Sequence, residues 1–381
     1  MDPWKAMREQ FPVADELAYL NHAAVAPLPR PCQSGMEDYL AELSRYGAAH
    51  YPAGPFAMLA RARRLGGRLM GAEPDDVFIV RSTTQGIGVA ATGIPYRDGD
   101  NVVIVEGEFP ANVRPWRALR KRGVEVRTVP QRDGRVELDD LAAATDDHTA
   151  ALAISFVQFV SGFRVDLAAV AEIARRHDAL FVVDAIQGLG VMPLHVERMG
   201  IDFLSADSHK WMLGPEGVGV GYASPRARGR IEQVLEGWMG LARPFDFADP
   251  DQPLRATAAR YEEGAYNFAG IHGMVGSLEL LLGLGVDAIS RRLLDLTDEL
   301  SDALVSRGWQ LLSPRAHDGE KSGILTATHP NATFDGMTER VLSRGVFISV
   351  RGGALRVSPH AYNDQRDLDA LLAAIDDEVE R

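Results

Sequence analysis

A lysine and an aspartate stand at the ends of two neighbouring apolar runs. The run 180–183 leads directly into Asp184, and Lys210 follows the next apolar run along the chain. Such runs predict buried parallel strands, whose carboxyl ends meet at one edge of a sheet. A lysine can form a Schiff base with a carbonyl compound, and a carboxylate can keep a pyridine nitrogen protonated. Pyridoxal phosphate (PLP) requires both groups, and Gln187 and His209 lie beside them in the sequence.

Each of these residues alone has a plainer interpretation. A single lysine is usually a surface residue, and an aspartate after an apolar run is often a helix N-cap or turn former. The combination favours a PLP site. A nucleotide-binding Rossmann domain is an alternative, because segment 217–221 alternates glycine with valine. That alternation suits a strand and lacks the Gly-x-Gly-x-x-Gly turn, so we do not favour it.

The motif around Lys210 resembles the class V aminotransferases. These are the fold-type-I group that includes cysteine desulfurases, kynureninases and isopenicillin N epimerases. The resemblance extends from segment 19–24 (Tyr-Leu-Asn-His-Ala-Ala) to segment 355–358 (Leu-Arg-Val-Ser), which is nearly the whole chain. It implies a PLP cofactor, an amino-acid substrate and a homodimer whose active site is completed by the partner chain.

Composition limits the classes of function. The 381 residues carry a formal net charge of −13, which argues against nucleic acid or an anionic membrane as the main partner. No apolar run approaches the ~20 residues that span a bilayer, and the first residues lack the apolar core of a signal peptide. We therefore expect a cytoplasmic protein. Cys32 is the only cysteine, which excludes an internal disulfide and a cysteine-based metal cluster; no metal site is predicted.

Strands alternate with helices along most of the chain, a pattern that predicts an α/β fold with a mostly parallel sheet and helices on both faces. The resemblance implies the fold-type-I PLP-dependent transferase architecture, with seven strands in the large domain and a small α+β C-terminal domain. We expect an N-terminal arm over residues 1–20 that packs with the small domain, a large PLP-binding domain over 21–275, and the small domain over 276–381.

The resemblance also implies roles for residues elsewhere in the chain. Thr83 and Thr84 follow a predicted strand and would hold the cofactor phosphate at a helix start, although a hydroxyl residue here could simply cap the helix. Arg356 matches the arginine that binds the substrate α-carboxylate, a task that suits a guanidinium fork. The remaining implied contacts are Phe109, Asp184, Gln187, His209 and Asn267 for the cofactor, and Asn21, His22 and Gln158 for the substrate.

Some of these positions have plainer alternatives. Segment 19–24 reads equally well as a short strand before a proline-rich loop, and a phenylalanine after a strand is usually part of the core. Gln158 is a candidate because it lies beside Phe159, where desulfurases carry an asparagine.

Three further positions depart from the family pattern. Phe109 stands where desulfurases have a histidine that stacks on the cofactor, and kynureninase-like members share its Phe-Pro pair. Asp207 replaces a small hydroxyl residue or cysteine, and would repel a phosphate unless it is turned away or paired with a cation. Ala265 replaces a threonine that contacts the partner subunit's phosphate.

The catalytic cysteine of desulfurases is missing. The chain passes from Arg351 directly to Arg356 with no cysteine and no loop between them. Lys210 would bind the cofactor and then remove the substrate α-proton. We favour a C–S (Cβ–X) lyase acting on a substituted, cysteine-like amino acid. An aminotransferase or an epimerase of the same family is the alternative, and a kynureninase matches more weakly. A catalytically silent homologue that binds a partner protein is an alternative of another class.

Overall fold

The computed structural model describes residues 2–51 and 53–379. Its α-helices within these residues are α1 (Pro3–Arg8), α2 (Arg30–Tyr46), α3 (Pro55–Met70), α4 (Thr83–Gly93), α5 (Arg114–Ala118), α6 (Leu138–Ala144), α7 (Leu167–Arg176), α8 (Pro225–Arg228), α9 (Phe268–Leu284), α10 (Val286–Ser306), α11 (Met337–Leu342) and α12 (Gln365–Val379). Its strands are β1 (Ala18–Tyr19), β2 (Val77–Val80), β3 (Asn101–Val105), β4 (Glu125–Val129), β5 (Thr149–Ser155), β6 (Leu180–Asp184), β7 (Phe203–Asp207), β8 (Gly219–Ala223), β9 (Gln310–Leu311), β10 (Leu325–Thr328), β11 (Val346–Phe347), β12 (Ser349–Arg351) and β13 (Ala354–Val357).

Seven strands form the central sheet, in the order β2-β8-β7-β6-β5-β3-β4. Strands β7, β6, β5, β3 and β4 run parallel, and β8 is antiparallel to both of its neighbours. This confirms the predicted mostly parallel sheet. Segment 217–221 ends inside β8 rather than forming a nucleotide-binding turn. Its glycines permit close packing, since a Cβ on Gly221 would lie 2.3 Å from the ring of Phe78.

Helices cover both faces of this sheet, because the strands are apolar on both sides. Alternate residues of β3 and β6 enter two different hydrophobic clusters, one with α3, α7 and α9 and the other with α4 and α5. Phe181 and Val183 face the first cluster, whereas Leu180 and Val182 face the second. The sheet is therefore buried on both faces, and the polar residues at its strand ends are the candidates for a functional site.

The C-terminal part has a separate four-stranded antiparallel sheet in the order β12-β13-β10-β9. It shares a hydrophobic cluster with α10 and α12. Residues 346–351 contribute to two strands of different sheets, because β11 pairs with β1 whereas β12 pairs with β13. The predicted boundary between residues 275 and 276 falls within α9, and the division into domains stays a prediction.

The N-terminal segment packs against the C-terminal part of the chain. The ring of Phe11 stacks on that of Tyr362 at a centroid distance of 3.9 Å, and Arg8 forms an ion pair with Asp367 at 2.5 Å. Met7 is buried. These contacts are those expected of an arm that packs with the C-terminal residues.

Within residues 2–51 and 53–379, none of the helices taken singly has the length and apolar character of a membrane span. Helices α9 and α10 together meet that test by length and composition only, with a bend of 81° between them.

Candidate active site

A cavity of about 280 Å³ lies at the carboxyl ends of β6 and β7. Eight of the twelve predicted site residues line it: Thr83, Thr84, Phe109, Asp184, Gln187, His209, Lys210 and Arg356. Its other lining residues are Ala23, Ala24, Val25, Ser82, Ala111, Phe159, Ile186, Asp207 and Arg351. Residues distant in sequence thus come together at the carboxyl ends of these strands, as the sequence predicts.

Lys210 follows β7 and begins a tight turn. In this turn the amide of Leu213 donates to the Lys210 carbonyl at 3.0 Å. Its side chain is 6% exposed. Burial lowers the pKa of Lys210 to about 8, while the charge of Asp184 opposes that shift. The Nζ atom lies 5.2 Å from the centre of the Phe109 ring. A buried lysine with a lowered pKa supplies the neutral amine that Schiff-base formation requires.

Asp184 is the last residue of β6, and its carboxyl group is buried. The amide of Ile186 donates to Oδ1 at 3.1 Å. Burial raises the pKa of Asp184 to about 6, against the opposing effects of that hydrogen bond and of Lys210. The group is therefore ionised above this pH, and a cation is the partner that a buried carboxylate favours.

Gln187 is held by hydrogen bonds at both ends of its amide. The indole Nε1 of Trp211 donates to Oε1 at 2.8 Å, and Nε2 donates to the carbonyl of Ala23 at 3.0 Å. Trp211 directly follows Lys210, so these two bonds tie the lysine segment to the N-terminal segment. The amide orientation is fixed by its partners.

The start of α4 presents backbone amides to the cavity. Ser82 caps the helix by accepting a hydrogen bond from the amide of Gln85 at 3.1 Å, as the plainer interpretation of this segment expects. The first-turn amides and the helix dipole favour an anion. Gly86 lets α4 approach β7, since a Cβ there would lie 2.3 Å from Ser205 Oγ. The Oγ1 of Thr83 accepts the amide of Asp207 at 3.0 Å, which fixes the helix start against β7.

The Asp207 carboxylate is paired with His209. Its Oδ2 lies 3.2 Å from His209 Nδ1, an ion-pair distance without hydrogen-bond geometry. Its Oδ1 accepts the amide of Ser208 at 2.7 Å. Asp207 therefore lies beside His209 and also lines the cavity.

Two arginines reach the cavity from one hairpin. The guanidinium of Arg356 donates to Ser349 Oγ at 3.1 Å and to the Phe159 carbonyl at 2.8 Å. Burial lowers its pKa to about 10, with the charge of Arg351 adding to the shift. Arg351 pairs with Ala354, two residues along β12 from the Ser349–Arg356 pair. Side chains two residues apart lie on the same face of a sheet, so Arg351 and Arg356 share a face. The sequence reasoning missed Arg351, which is signalled only by that hairpin register.

Two phenylalanines form an aromatic wall. The rings of Phe109 and Phe159 meet edge to face with centroids 5.4 Å apart. Phe109 is 44% exposed, so it presents a ring to the cavity instead of filling a core. This wall makes one side of the cavity apolar.

Asn21 and His22 lie outside the cavity lining. Asn21 forms a β-bridge with Ser358, and no donor among the described residues reaches its buried Oδ1. The Nδ1 of His22 donates to the Ser358 carbonyl at 2.9 Å, so its Nε2 accepts from the Tyr362 hydroxyl at 3.1 Å. Burial lowers the pKa of His22 to about 4. In this structure both residues join the N-terminal segment to the C-terminal part.

Gln158 and Asn267 also point elsewhere. Gln158 Nε2 donates to Glu108 Oε1 at 3.0 Å, behind the cavity. Asn267 caps α9 by accepting the amide of Gly270 at 2.9 Å, and lines a separate small pocket with Arg81. The sequence could not reveal the Gln158 contact, because Glu108 comes from a different strand end.

The single cysteine is remote from these residues. Cys32 lies in α2, is fully buried, and does not line the cavity. Burial raises the pKa of its thiol, which opposes formation of the reactive thiolate. Between the two arginines the chain makes a tight turn through Gly352 and Gly353, whose φ angles of 60° and 75° favour glycine.

The cavity residues fit PLP: a buried amine, a buried carboxylate, an aromatic ring and the free amides at a helix start surround one space. The fold and this site define a PLP-dependent enzyme of fold type I.

The family profile described as Aminotransferase class-V matches residues 18–371, and the chain belongs to that family. It is similar to a probable cysteine desulfurase of Methanothermobacter thermautotrophicus, with 26% identity over 96% of this chain and 95% of that protein. It is also similar to the uncharacterized aminotransferase YcbU of Bacillus subtilis, with 26% identity over 95% and 94%. The structure of the cystine C–S lyase C-DES with its product cysteine persulfide has the same fold, with a TM-score of 0.90, 19% identity and coverage of 97% and 100%.

Proposed function

We propose that this enzyme is a C–S lyase that cleaves the Cβ–S bond of an S-substituted cysteine. The observation that carries the proposal is one cavity that combines Lys210, Asp184 and Arg356 with an aromatic wall and no thiol. The net reaction converts the substituted cysteine and water into a thiol, pyruvate and ammonia.

Each side chain has a role in this proposal. Lys210 would hold the cofactor through its amine, the amides at Thr83 and Thr84 would hold its phosphate together with His209, and Asp184 would pair with its ring nitrogen. Phe109 would support the flat cofactor ring by stacking. Gln187 would contact the cofactor with a side chain whose orientation is fixed by its hydrogen bonds to Trp211 and Ala23. When bound, PLP withdraws electrons from the amino-acid Cα.

Substrate contacts follow from the charges of the cavity. Arg356 grips the α-carboxylate, which fixes the amino acid with its α-hydrogen toward Lys210. The lowered pKa of Lys210 increases the share of its neutral amine, and it is this neutral amine that takes the proton. The sulfur substituent then leaves along the aromatic wall, where sulfur–ring contacts are favourable. Asn21, His22 and Gln158 support this arrangement from behind, and Asn267 belongs to the edge that we expect to meet a partner chain.

Absence of a nearby thiol supports a lyase over a persulfide-forming desulfurase. A desulfurase needs a cysteine nucleophile at the substrate sulfur, and Cys32 is buried in α2. The resemblance to the fold of a cystine C–S lyase agrees with elimination but does not identify the substrate. Arg351 adds a second cation at the cavity, and so we propose a substituent that carries a second carboxylate, as in cystine or S-carboxymethylcysteine.

A homodimer in the cytoplasm is part of the proposal. Exposed apolar side chains concentrate in one segment, with Leu235 at 61% and Phe247 at 75% exposure. Contiguous exposed apolar groups of this kind commonly mark a protein–protein interface. Light scattering of the purified protein tests this point, and a monomer at micromolar concentration would refute it.

The test of the function is a product assay with a panel of L-amino acids. Wild-type protein loaded with PLP should release pyruvate from S-substituted cysteines while retaining the cofactor, and Lys210→Ala should release none. Conversion of the cofactor to its pyridoxamine form would identify an aminotransferase, and inversion at Cα an epimerase. Failure of wild-type protein to bind PLP would favour the silent, partner-binding homologue.

A further inference from the structure

Glu108 is a buried acid that the proposed chemistry does not use. It follows β3, directly before Phe109, and its side chain is 6% exposed. A carboxylate in such a place is costly unless it is well hydrogen-bonded.

Three donors converge on this carboxylate. The amide of Ser155 donates to Oε1 at 2.6 Å, and Gln158 Nε2 donates to the same oxygen at 3.0 Å. Asn112 Nδ2 donates to Oε2 at 2.5 Å. The orientation of Asn112 is fixed in turn, because its Oδ1 accepts from the indole of Trp116 at 3.1 Å. Every contact thus uses Glu108 as an acceptor, as an ionised carboxylate requires.

The orientation of Gln158 is fixed in the same way. Its Oε1 accepts from Gln131 Nε2 at 3.0 Å, and that nitrogen also donates to the Glu106 carbonyl at 2.7 Å. The amide relay therefore begins at Gln131 and ends at Glu108. A neutral glutamine in place of Glu108 could not accept from all three donors, since one of its atoms is itself a donor.

This buried charge acts on Asp184. Ser155, which binds Glu108 through its amide, is the register partner of Asp184 in the β5–β6 pair. Burial raises the pKa of Glu108 to about 7; the three hydrogen bonds oppose that rise and the charge of Asp184 adds to it. Among the described residues that shift the pKa of Glu108, Asp184 is the charged one, and the three groups that donate hydrogen bonds to Glu108 are neutral.

We infer that Glu108 is a positioning residue whose negative charge, held by this donor relay, acts through Asp184 to strengthen proton binding at the cofactor's ring nitrogen. The inference rests on the proposed PLP site. It assigns the relay a purpose beyond packing: a second carboxylate, Glu108, outside the cavity lining strengthens the hold of Asp184 on a cation in the cavity.

The test compares three variants of the PLP-loaded protein. Glu108→Gln removes the buried charge, Glu108→Asp keeps the charge and shifts its hydrogen bonds, and Glu106→Gln removes an exposed charge two residues away. The measured quantity is the pH midpoint at which the absorption of the bound cofactor changes. The affinity of the apoprotein for PLP and its thermal unfolding are measured alongside.

Glu108→Gln should lower the midpoint by about one pH unit, because removing a nearby negative charge disfavours the protonated cofactor. Glu108→Asp and Glu106→Gln should stay near the wild-type value. An unchanged midpoint in Glu108→Gln, or equal shifts in Glu108→Gln and Glu108→Asp, would overturn the inference. If Glu108→Gln does not fold, a shift in the folded Glu108→Asp protein as large as one unit would overturn it, and a wild-type-like midpoint there would support it. Wild-type protein that binds no PLP would instead refute the proposed site.

Discussion

Replacement of Arg356 by glutamine should weaken the response to amino acids that carry an α-carboxylate. Two hydrogen bonds fix the guanidinium, at 3.1 Å to Ser349 and 2.8 Å to Phe159, and neither of them uses Nη2. A charge-assisted hydrogen bond contributes about 1.5–3 kcal/mol, so loss of one bond plus the buried charge should amount to about 2–4 kcal/mol. That difference corresponds to a decrease in apparent affinity or kcat/KM of roughly 30- to 1000-fold.

The assay follows the absorption change of bound PLP with an S-substituted L-cysteine and with the matching amine, which lacks the carboxylate. Arg356→Gln should impair the response to the amino acid and leave the response to the amine nearly unchanged. Arg356→Lys is the matched control, because it keeps the charge but loses the planar fork, and should fall between the two. Equal losses for the amino acid and the amine would refute a carboxylate role and leave only a structural one.

Three other predictions follow from the cavity charges. Arg351→Gln should reduce kcat/KM about 5-fold for cystine but little for S-methylcysteine, since an exposed arginine adds about 1 kcal/mol; equal effects on both substrates would contradict its role. Asp207→Ser should tighten PLP binding to the apoprotein roughly 3- to 10-fold in a fluorescence titration, because a carboxylate near the phosphate is removed; weaker binding would show that the pair with His209 is required. The pKa of Lys210 is lowered from 10.5 to about 8 in the folded apoprotein, so the unfolded chain binds more protons between these values and the free energy of unfolding rises with pH through that window. Lys210→Met should abolish this rise and be more stable than wild-type apoprotein below pH 8, by about 3 kcal/mol, in denaturant titrations; identical pH slopes would contradict the buried cation.

The main features of the fold could be predicted from the sequence because its strands are short apolar runs that end in polar residues. Asp184 and Lys210 follow such runs, and parallel strand order brings their ends together. The start of α4 after β2 could be predicted in the same way, since a hydroxyl residue after a strand marks a helix start. Each of these predictions uses only a few consecutive residues, and such a short pattern is enough to identify a strand that is buried on both faces.

Features that depend on contacts between distant segments could not be predicted. The apolar run before Lys210 begins at Ile201, whose amide donates to the Val196 carbonyl in a turn, and β7 begins only at Phe203. The neighbours of Gln158 and His22 come from elements far away in the sequence. The position of Arg351 at the cavity could not be predicted, because it depends on the register of a hairpin of only a few residues.

The most direct measurement of the central claim is borohydride reduction of the PLP-loaded protein followed by peptide mass spectrometry. Reduction makes the Schiff base permanent, so the cofactor marks the lysine that holds it. The account predicts one cofactor-derived mass per chain, on the peptide that contains Lys210, and none in Lys210→Ala. A mark on Lys321 or on any other lysine, or no mark on protein saturated with PLP, would contradict it.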